Sequence, residues 1–231
     1  MNGMDVAIKK IAASASQSEK NMAANMLQRE VKTLIRCRLK NVVQLKGACS
    51  DPPMLNLAYA SNGTLRDLLR NGKQILPPEK MKLIRGICDG MTMLNSRDIL
   101  HLDLKPENVL IAADGTPWVA DFGLAIAMPA TMAGGAGSTK GGRGTMQYKA
   151  PELFKTKKMG GAIYEKQADV YSFSMVVWEM FSGKVPFDGV YDHDHEIIAM
   201  HMGVFFGEVP ERPPLDGIPT EVVPLITTCW A

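Results

Sequence analysis

From Asp169 to Phe181 the chain is apolar on almost every side of a helical projection, with Val170, Phe173, Val176, Val177 and Met180 spread around it. A helix of that kind has no face to give to water, so it must be buried inside a lobe of other elements. The 231 residues leave room for one large domain, or two small ones sharing a cleft. No stretch approaches the roughly 18–20 consecutive apolar residues that crossing a bilayer requires.

The first sixty residues have a different texture. Residues 6–11 are a short apolar run containing paired lysines, which reads as a strand. From Ser18 to Arg38 the positions Met22, Met26, Leu27, Val31, Leu34 and Ile35 recur at helical spacing. Val42 to Ala48 and Met54 to Ala60 read as two more strands, separated by the turn residues Ser50-Asp51-Pro52-Pro53. Strand, helix, strand, strand make a small lobe. Beyond Asn62-Gly63 the chain turns helical. Thr64 can cap a helix through Leu69, and Pro77-Pro78-Glu79 opens a longer one with Ile84, Ile87, Cys88, Met91 and Leu94 on one stripe. The six glycines between Pro129 and Gly144 predict a mobile loop.

Chemistry concentrates between residues 101 and 123. Val109-Leu110-Ile111 and Trp118-Val119-Ala120 flank an Asp114-Gly115 turn and predict a hairpin. That pairing brings Asn108 and Asp121 to one end, where an amide oxygen and a carboxylate suit a hard cation such as magnesium. Asp103, five residues before Asn108, can orient an attacking hydroxyl, and Lys105 can face a transferring phosphoryl group. Each of these alone is a routine turn cap. Their joint occurrence points to a site.

Read together, the motifs resemble a eukaryotic-type protein kinase domain. Val6-Ala7-Ile8-Lys9 is similar to the family's third strand, and Glu30, 21 residues after Lys9, to its helix glutamate. His101 to Asn108 resembles the catalytic loop, Asp121-Phe122-Gly123 the magnesium motif, and Ala150-Pro151-Glu152 the end of the activation segment. Asp169-Val170-Tyr171-Ser172-Phe173 resembles the start of the central buried helix. The resemblance implies an α+β, bilobal fold, with a truncated β-rich N-lobe over 1–60 and a mainly helical C-lobe over 61–231. It implies ATP and Mg2+ as cofactors and a protein as substrate. Lys9 would grip the α/β phosphates with Glu30 as its ion-pair partner. Asp103 would be the base, Lys105 the phosphate contact, and Asn108 and Asp121 the metal ligands. Leu55 to Ala60 matches the last strand and hinge, with Leu57 as gatekeeper. The Ala58 carbonyl and Ala60 amide would meet the adenine edge, and Ala7 and Leu110 its two faces. Leu34, Leu45, His101 and Phe122 would stack as a spine. Asp-Leu-Lys-Pro-Glu-Asn at 103–108 resembles serine/threonine kinases, while Tyr171-Ser172-Phe173, Trp178-Glu179, Arg212-Pro213 and Cys229-Trp230 resemble the tyrosine-kinase branches. The combination is most similar to tyrosine-kinase-like serine/threonine kinases.

Three departures qualify that reading. Only five residues precede Val6, so the family's glycine-rich loop is not in this chain. The arginine that the family pairs with Glu152 would fall beyond Ala231. Leu102 stands where the family has an arginine that receives an activation-loop phosphate, so phosphate-driven ordering is not expected here. Two functions stay open: an active transferase, or an impaired relative serving as a nucleotide-binding or scaffold module.

The remaining features narrow the class. With 26 Lys+Arg against 24 Asp+Glu the net charge is +2, which gives no electrostatic reason to expect nucleic acid. Cys37, Cys49, Cys88 and Cys229 lie far apart without a C-x-x-C pair, and the opening residues have no apolar h-region. The expectation is a cytoplasmic protein. His193 and His195 read as a solvated acidic loop before a helix, and Lys155, Lys157 and Lys158 as solvated surface.

Overall fold

A computed structural model describes residues 5–11, 16–72, 74–127, 146–154, 165–191, 193–209 and 211–230. The segments at 129–144 and 155–158 singled out above lie outside the described residues. Backbone packing separates two units, residues 1–101 with 106–129, and residues 102–105 with 130–231. Helices and antiparallel sheet together make the chain α+β.

In the first unit, β1 (Val6–Lys10), β2 (Leu45–Ser50) and β3 (Pro53–Ala58) form an antiparallel sheet in the order β1-β3-β2. Lys9 stands opposite Leu55, and Ala7 opposite Leu57. The apolar run expected as one strand from Val42 is split. Val42 and Val43 are fully buried but bond elsewhere: the Val43 N–H donates to the Val119 carbonyl at 2.9 Å, and the Val119 N–H to the Asn41 carbonyl at 2.9 Å. The sheet strand proper starts only at Leu45.

Helix α1 (Gln17–Arg36) begins where Ser16 and Glu19 satisfy each other's backbone N–H groups in a capping box. Its buried residues are Leu27, Glu30 and Leu34, a narrow stripe that places a carboxylate among leucines. Met22 and Ile35, counted on the apolar stripe from sequence, are 53% and 63% exposed. The buried face is therefore turned away from them. A second capping box, Thr64 with Asp67, starts α2 (Leu65–Arg70).

Helix α3 (Pro77–Asn95) packs on the hairpin of β5 (Val109–Ile111) and β6 (Pro117–Val119), and β4 (Ile99–Leu100) pairs with β7 (Ile126–Ala127). Gly90 permits that packing: a Cβ there would stand 2.7 Å from the Asn41 carbonyl oxygen. Alanine would gain about 1 kcal/mol of helix propensity. Pushing backbone out of a packed layer costs about 1–3 kcal/mol, and overpacking wins. Gly90→Ala is expected to lower the urea midpoint at unchanged m-value; an unchanged or higher midpoint would show that the layer yields.

In the second unit, α4 (Lys166–Ser182) is the helix expected to be buried all round; twelve of its residues, from Ala168 to Met180, are buried, while Val170 in its first turns is 39% exposed. Several of its polar members find hydrogen-bond partners, the buried Tyr171 hydroxyl being an exception among the described residues. The Ser172 hydroxyl donates to the Ala168 carbonyl, the Tyr148 hydroxyl to Glu179, and the Trp178 indole N–H to the Pro214 carbonyl. Gly183 ends the helix in the left-handed conformation, φ 71°. Helix α5 (Asp194–Gly203) lies against the turns Met146–Tyr148 and Pro151–Phe154, and α6 (Val223–Thr228) against α4. The stretch expected as a loop around His193 and His195 is instead the start of α5, because His193 and Glu196 form a cap there. Among the described residues, no helix is long and apolar enough to cross a membrane.

Candidate functional site

Three charged side chains from sequence-distant elements of the first unit meet at one point. Lys9 comes from β1, Glu30 from the buried stripe of α1, and Asp121 from the residue pair that follows β6. The Lys9 ammonium donates to Glu30 Oε2 at 2.8 Å and to Asp121 Oδ1 at 2.9 Å. Burial is unequal. The Glu30 side chain is 1% exposed, while Lys9 and Asp121 are 39% and 43% exposed. One carboxylate anchors the lysine from inside and the other meets it from the solvent side.

The electrostatics follow that arrangement. Partial burial works against the Lys9 cation, but the Asp121 and Glu30 carboxylates outweigh it and hold its pKa above the ordinary lysine value. Burial lifts the Glu30 carboxyl above its usual range, and the attraction of Lys9 offsets only part of that. At Asp121 burial pulls the same way, but Lys9 prevails and the carboxyl stays below the usual range.

The backbone at Asp121 is held in a conformation side chains avoid. Its φ is 64°, in the left-handed region, which costs an aspartate of the order of 1 kcal/mol. The Gly123 N–H returns to Asp121 Oδ1 at 3.4 Å. Behind it, fully buried Phe122 meets His101 edge-on at 5.1 Å, and the His101 ring hydrogen-bonds the Ala120 carbonyl at 2.9 Å through Nε2. Asn108 ends the short 3-10 turn Pro106–Asn108, and its carbonyl accepts the Ala120 N–H at 2.9 Å. With Val109 opposite Val119, Asn108 and Asp121 belong to the same end of the hairpin.

A hard cation suits these donors. Asp121 Oδ1 is taken by Lys9 and Gly123, whereas Oδ2 makes no hydrogen bond among the described residues. Among the described residues, no cluster of three or more His, Cys, Asp or Glu could hold a metal. An ion held by one carboxylate and one amide must complete its shell with water and ligand oxygens, as magnesium does with phosphates.

The residues assigned to adenine also fall in the first unit. Ala58 closes β3 and donates its N–H to the Gln44 carbonyl at 2.9 Å. The Ala60 carbonyl accepts the Gly63 N–H at 3.2 Å, and its own N–H makes no hydrogen bond among the described residues. Ala7 lies in β1 and Leu110 in β5, both half-buried. Of the expected spine, Leu34, His101 and Phe122 are buried and Leu45 is half-buried, and the expected gatekeeper Leu57 is buried.

Asp103 and Lys105 belong to the second unit, where Lys105 Nζ lies 3.1 Å from Asp103 Oδ2. The loop is tied down one residue earlier. Leu102 has a φ of 62°, and its N–H donates at 2.8 Å to Oδ1 of Asp169, a carboxylate 1% exposed in the first turn of α4. The sequence showed Asp169 only as the polar start of an apolar helix; its signal was an acid where nothing but burial awaited it. Lys149 also belongs to this cluster: burial lowers its pKa, and Asp103 opposes that shift.

The family model described as protein tyrosine and serine/threonine kinase matches residues 1–231. The chain is 36% identical to the dual specificity protein kinase pyk3 of Dictyostelium discoideum, over all of the chain and 16% of that protein. It is 32% identical to human mitogen-activated protein kinase kinase kinase 7, over 98% of the chain and 35% of the relative. It is 31% identical to serine/threonine-protein kinase VIK of Arabidopsis thaliana, over 99% of the chain and 50% of the relative. The chain thus spans half or less of the length of these relatives.

Proposed function

The chain belongs to the protein tyrosine and serine/threonine kinase family, and on that premise we propose that it transfers the γ-phosphoryl group of ATP to a serine or threonine hydroxyl of a protein. The observation that carries the proposal is the double contact of Lys9 with buried Glu30 and exposed Asp121. Phosphoryl transfer asks for positioned charge more than covalent help. Lys9 is an anchored cation for the α/β phosphates, kept protonated by its two carboxylates. Asp121 and Asn108 hold the metal.

Bound ATP with magnesium supplies the phosphorus under attack and the leaving group. Asp103 orients the acceptor hydroxyl and takes its proton, and Lys105 offsets charge beside it. The Ala58 carbonyl and Ala60 amide hold the adenine edge, between Ala7 and Leu110. Residues 1–60 serve as the nucleotide lobe and 61–231 as the substrate lobe, and the protein acts in the cytoplasm. Lys105 in the run Asp103 to Asn108 favours serine or threonine over tyrosine. Leu102 is the feature that favours a scaffold without transfer. The intact set of Lys9, Asp103, Asn108 and Asp121 and the kinase names of the relatives outweigh it.

The deciding experiment follows label from γ-labelled ATP to a generic protein acceptor. Wild type is expected to transfer it with magnesium, and Asp121→Asn to lose at least about a hundredfold. A thermal shift with Mg-ATP and no transfer above the Asp121→Asn level would establish the scaffold reading instead.

A further inference from the structure

We propose that the groove along the outer side of α3 is a docking site for an acidic segment of a protein partner. Six residues of the helix, Pro78, Met81, Lys82, Arg85, Gly86 and Asp89, line a cavity of about 380 Å3. Their spacing of three and four puts them on one stripe. Lys40 and Thr116 line the cavity with them, from the loop before β2 and from the hairpin.

The floor is built to stay as it is. A Cβ at Gly86 would stand 2.5 Å from Pro117 Cγ, so glycine lets the hairpin close against the helix. Buried Asn41 donates to the Pro117 carbonyl at 3.0 Å and so leaves no frustrated polar group beneath.

The walls are a different matter. Lys40, Lys82 and Arg85 face the cavity against one carboxylate, Asp89. Lys40 and Arg85 make no ion pair or side-chain hydrogen bond among the described residues. Lys82 donates to the Asp114 carbonyl at 3.3 Å and is drawn to the Asp114 carboxylate, which itself accepts the Thr116 N–H at 2.9 Å. A chain with a net charge of +2 therefore sets three cations against the two carboxylates of Asp89 and Asp114 at one groove.

The occupant follows from charge and shape. Exposed Met81 and Pro78 sit among the cations, and a bare anion would leave them unused. A peptide can offer carboxylates to the cations and an aliphatic side chain to Met81. From Pro78 to Asp89 the helix rises about 16 Å, the reach of about five extended residues. Nucleic acid would need more cations than these to compete with salt.

The test is fluorescence anisotropy of the whole chain with a labelled Glu-Glu-Leu-Glu-Glu peptide, beside its Gln-Gln-Leu-Gln-Gln counterpart. Saturable binding of the acidic peptide is expected, about tenfold or more tighter than the neutral one. Lys82→Glu/Arg85→Glu should lose about tenfold or more, and Met81→Ala severalfold. Lys40→Glu, on a different element, gives the same readout should the double variant fail to fold. Absence of saturable binding, or binding undiminished by charge reversal, would overturn the proposal. So would a site that inorganic phosphate empties and Met81→Ala leaves unchanged, or one that prefers a single-stranded oligonucleotide. None of these readouts depends on phosphoryl transfer.

Discussion

Lys9→Met is expected to reduce transfer to a protein acceptor by about a hundredfold to a thousandfold while leaving the chain folded. Positioned charges of this kind supply about 2.7–4 kcal/mol each at a reacting centre, and Lys9 is the cation that touches both Glu30 and Asp121. The same change has a second signature. Removing one partner of a buried pair leaves the other charge uncompensated, at a cost of about 3–5 kcal/mol. Because Lys9 is 39% exposed, water offsets part of that, and about 1–3 kcal/mol is the expected loss. Glu30 escapes the rest by taking a proton. Its carboxyl already sits above the usual range through burial, and losing Lys9 removes the counterweight. An acid whose folded pKa is raised destabilises the fold as pH climbs from its unfolded value, about 4.3, through the folded value. The stability deficit of Lys9→Met should therefore shrink on acidification toward pH 4.3. Adding Glu30→Leu should restore stability at neutral pH but not activity. A pH-independent deficit would mean that Glu30 carries no buried charge. Transfer within tenfold of wild type would remove Lys9 from the machinery.

Elements whose signal is local were legible in the sequence. Helix α3 announced itself by Pro77 and its stripe, of which Ile84, Ile87, Met91 and Leu94 are buried and Cys88 is exposed, α2 by Thr64, and α4 by being apolar nearly all round. The hairpin followed from Asp114-Gly115, where Gly115 has a φ of 76°. The failures share a physical cause, since each depends on a partner far along the chain. Val42 and Val43 look like the start of β2 because apolar strand residues carry no mark of which strand they bond to. The strands β4 and β7, two residues each, are too short for any period. Glu30 breaks the apolar stripe of α1, so periodicity reads it as surface; motif spacing from Lys9 is what marks it. Met22 and Ile35 were misplaced for the same reason. A stripe counted without the buried glutamate is centred on the wrong side of the helix.

The second large effect is structural, and Asp169→Ala produces it. Leu102 holds a left-handed backbone at φ 62° with a side chain that is itself buried, a conformation worth about 1–2 kcal/mol of strain. What keeps it there is the 2.8 Å hydrogen bond from its N–H to a carboxylate on the first turn of α4. A hydrogen bond to a buried charged acceptor contributes about 1.5–3 kcal/mol, and an acid near a helix N-terminus adds a few tenths more. Asp169→Ala is therefore expected to destabilise by about 2–4 kcal/mol, read from the urea midpoint. It should also lower transfer at least about a hundredfold at temperatures where the variant is folded, because Asp103 follows Leu102 directly and inherits its orientation. Asp169→Asn separates anchor from charge. Its amide oxygen still accepts the Leu102 N–H, at roughly half the strength. It should recover much of the activity but only part of the stability. Equal loss in both variants would make the charge, not the hydrogen bond, the anchor. A cost below about 0.5 kcal/mol in Asp169→Ala would show that Leu102 holds its left-handed backbone without help from α4.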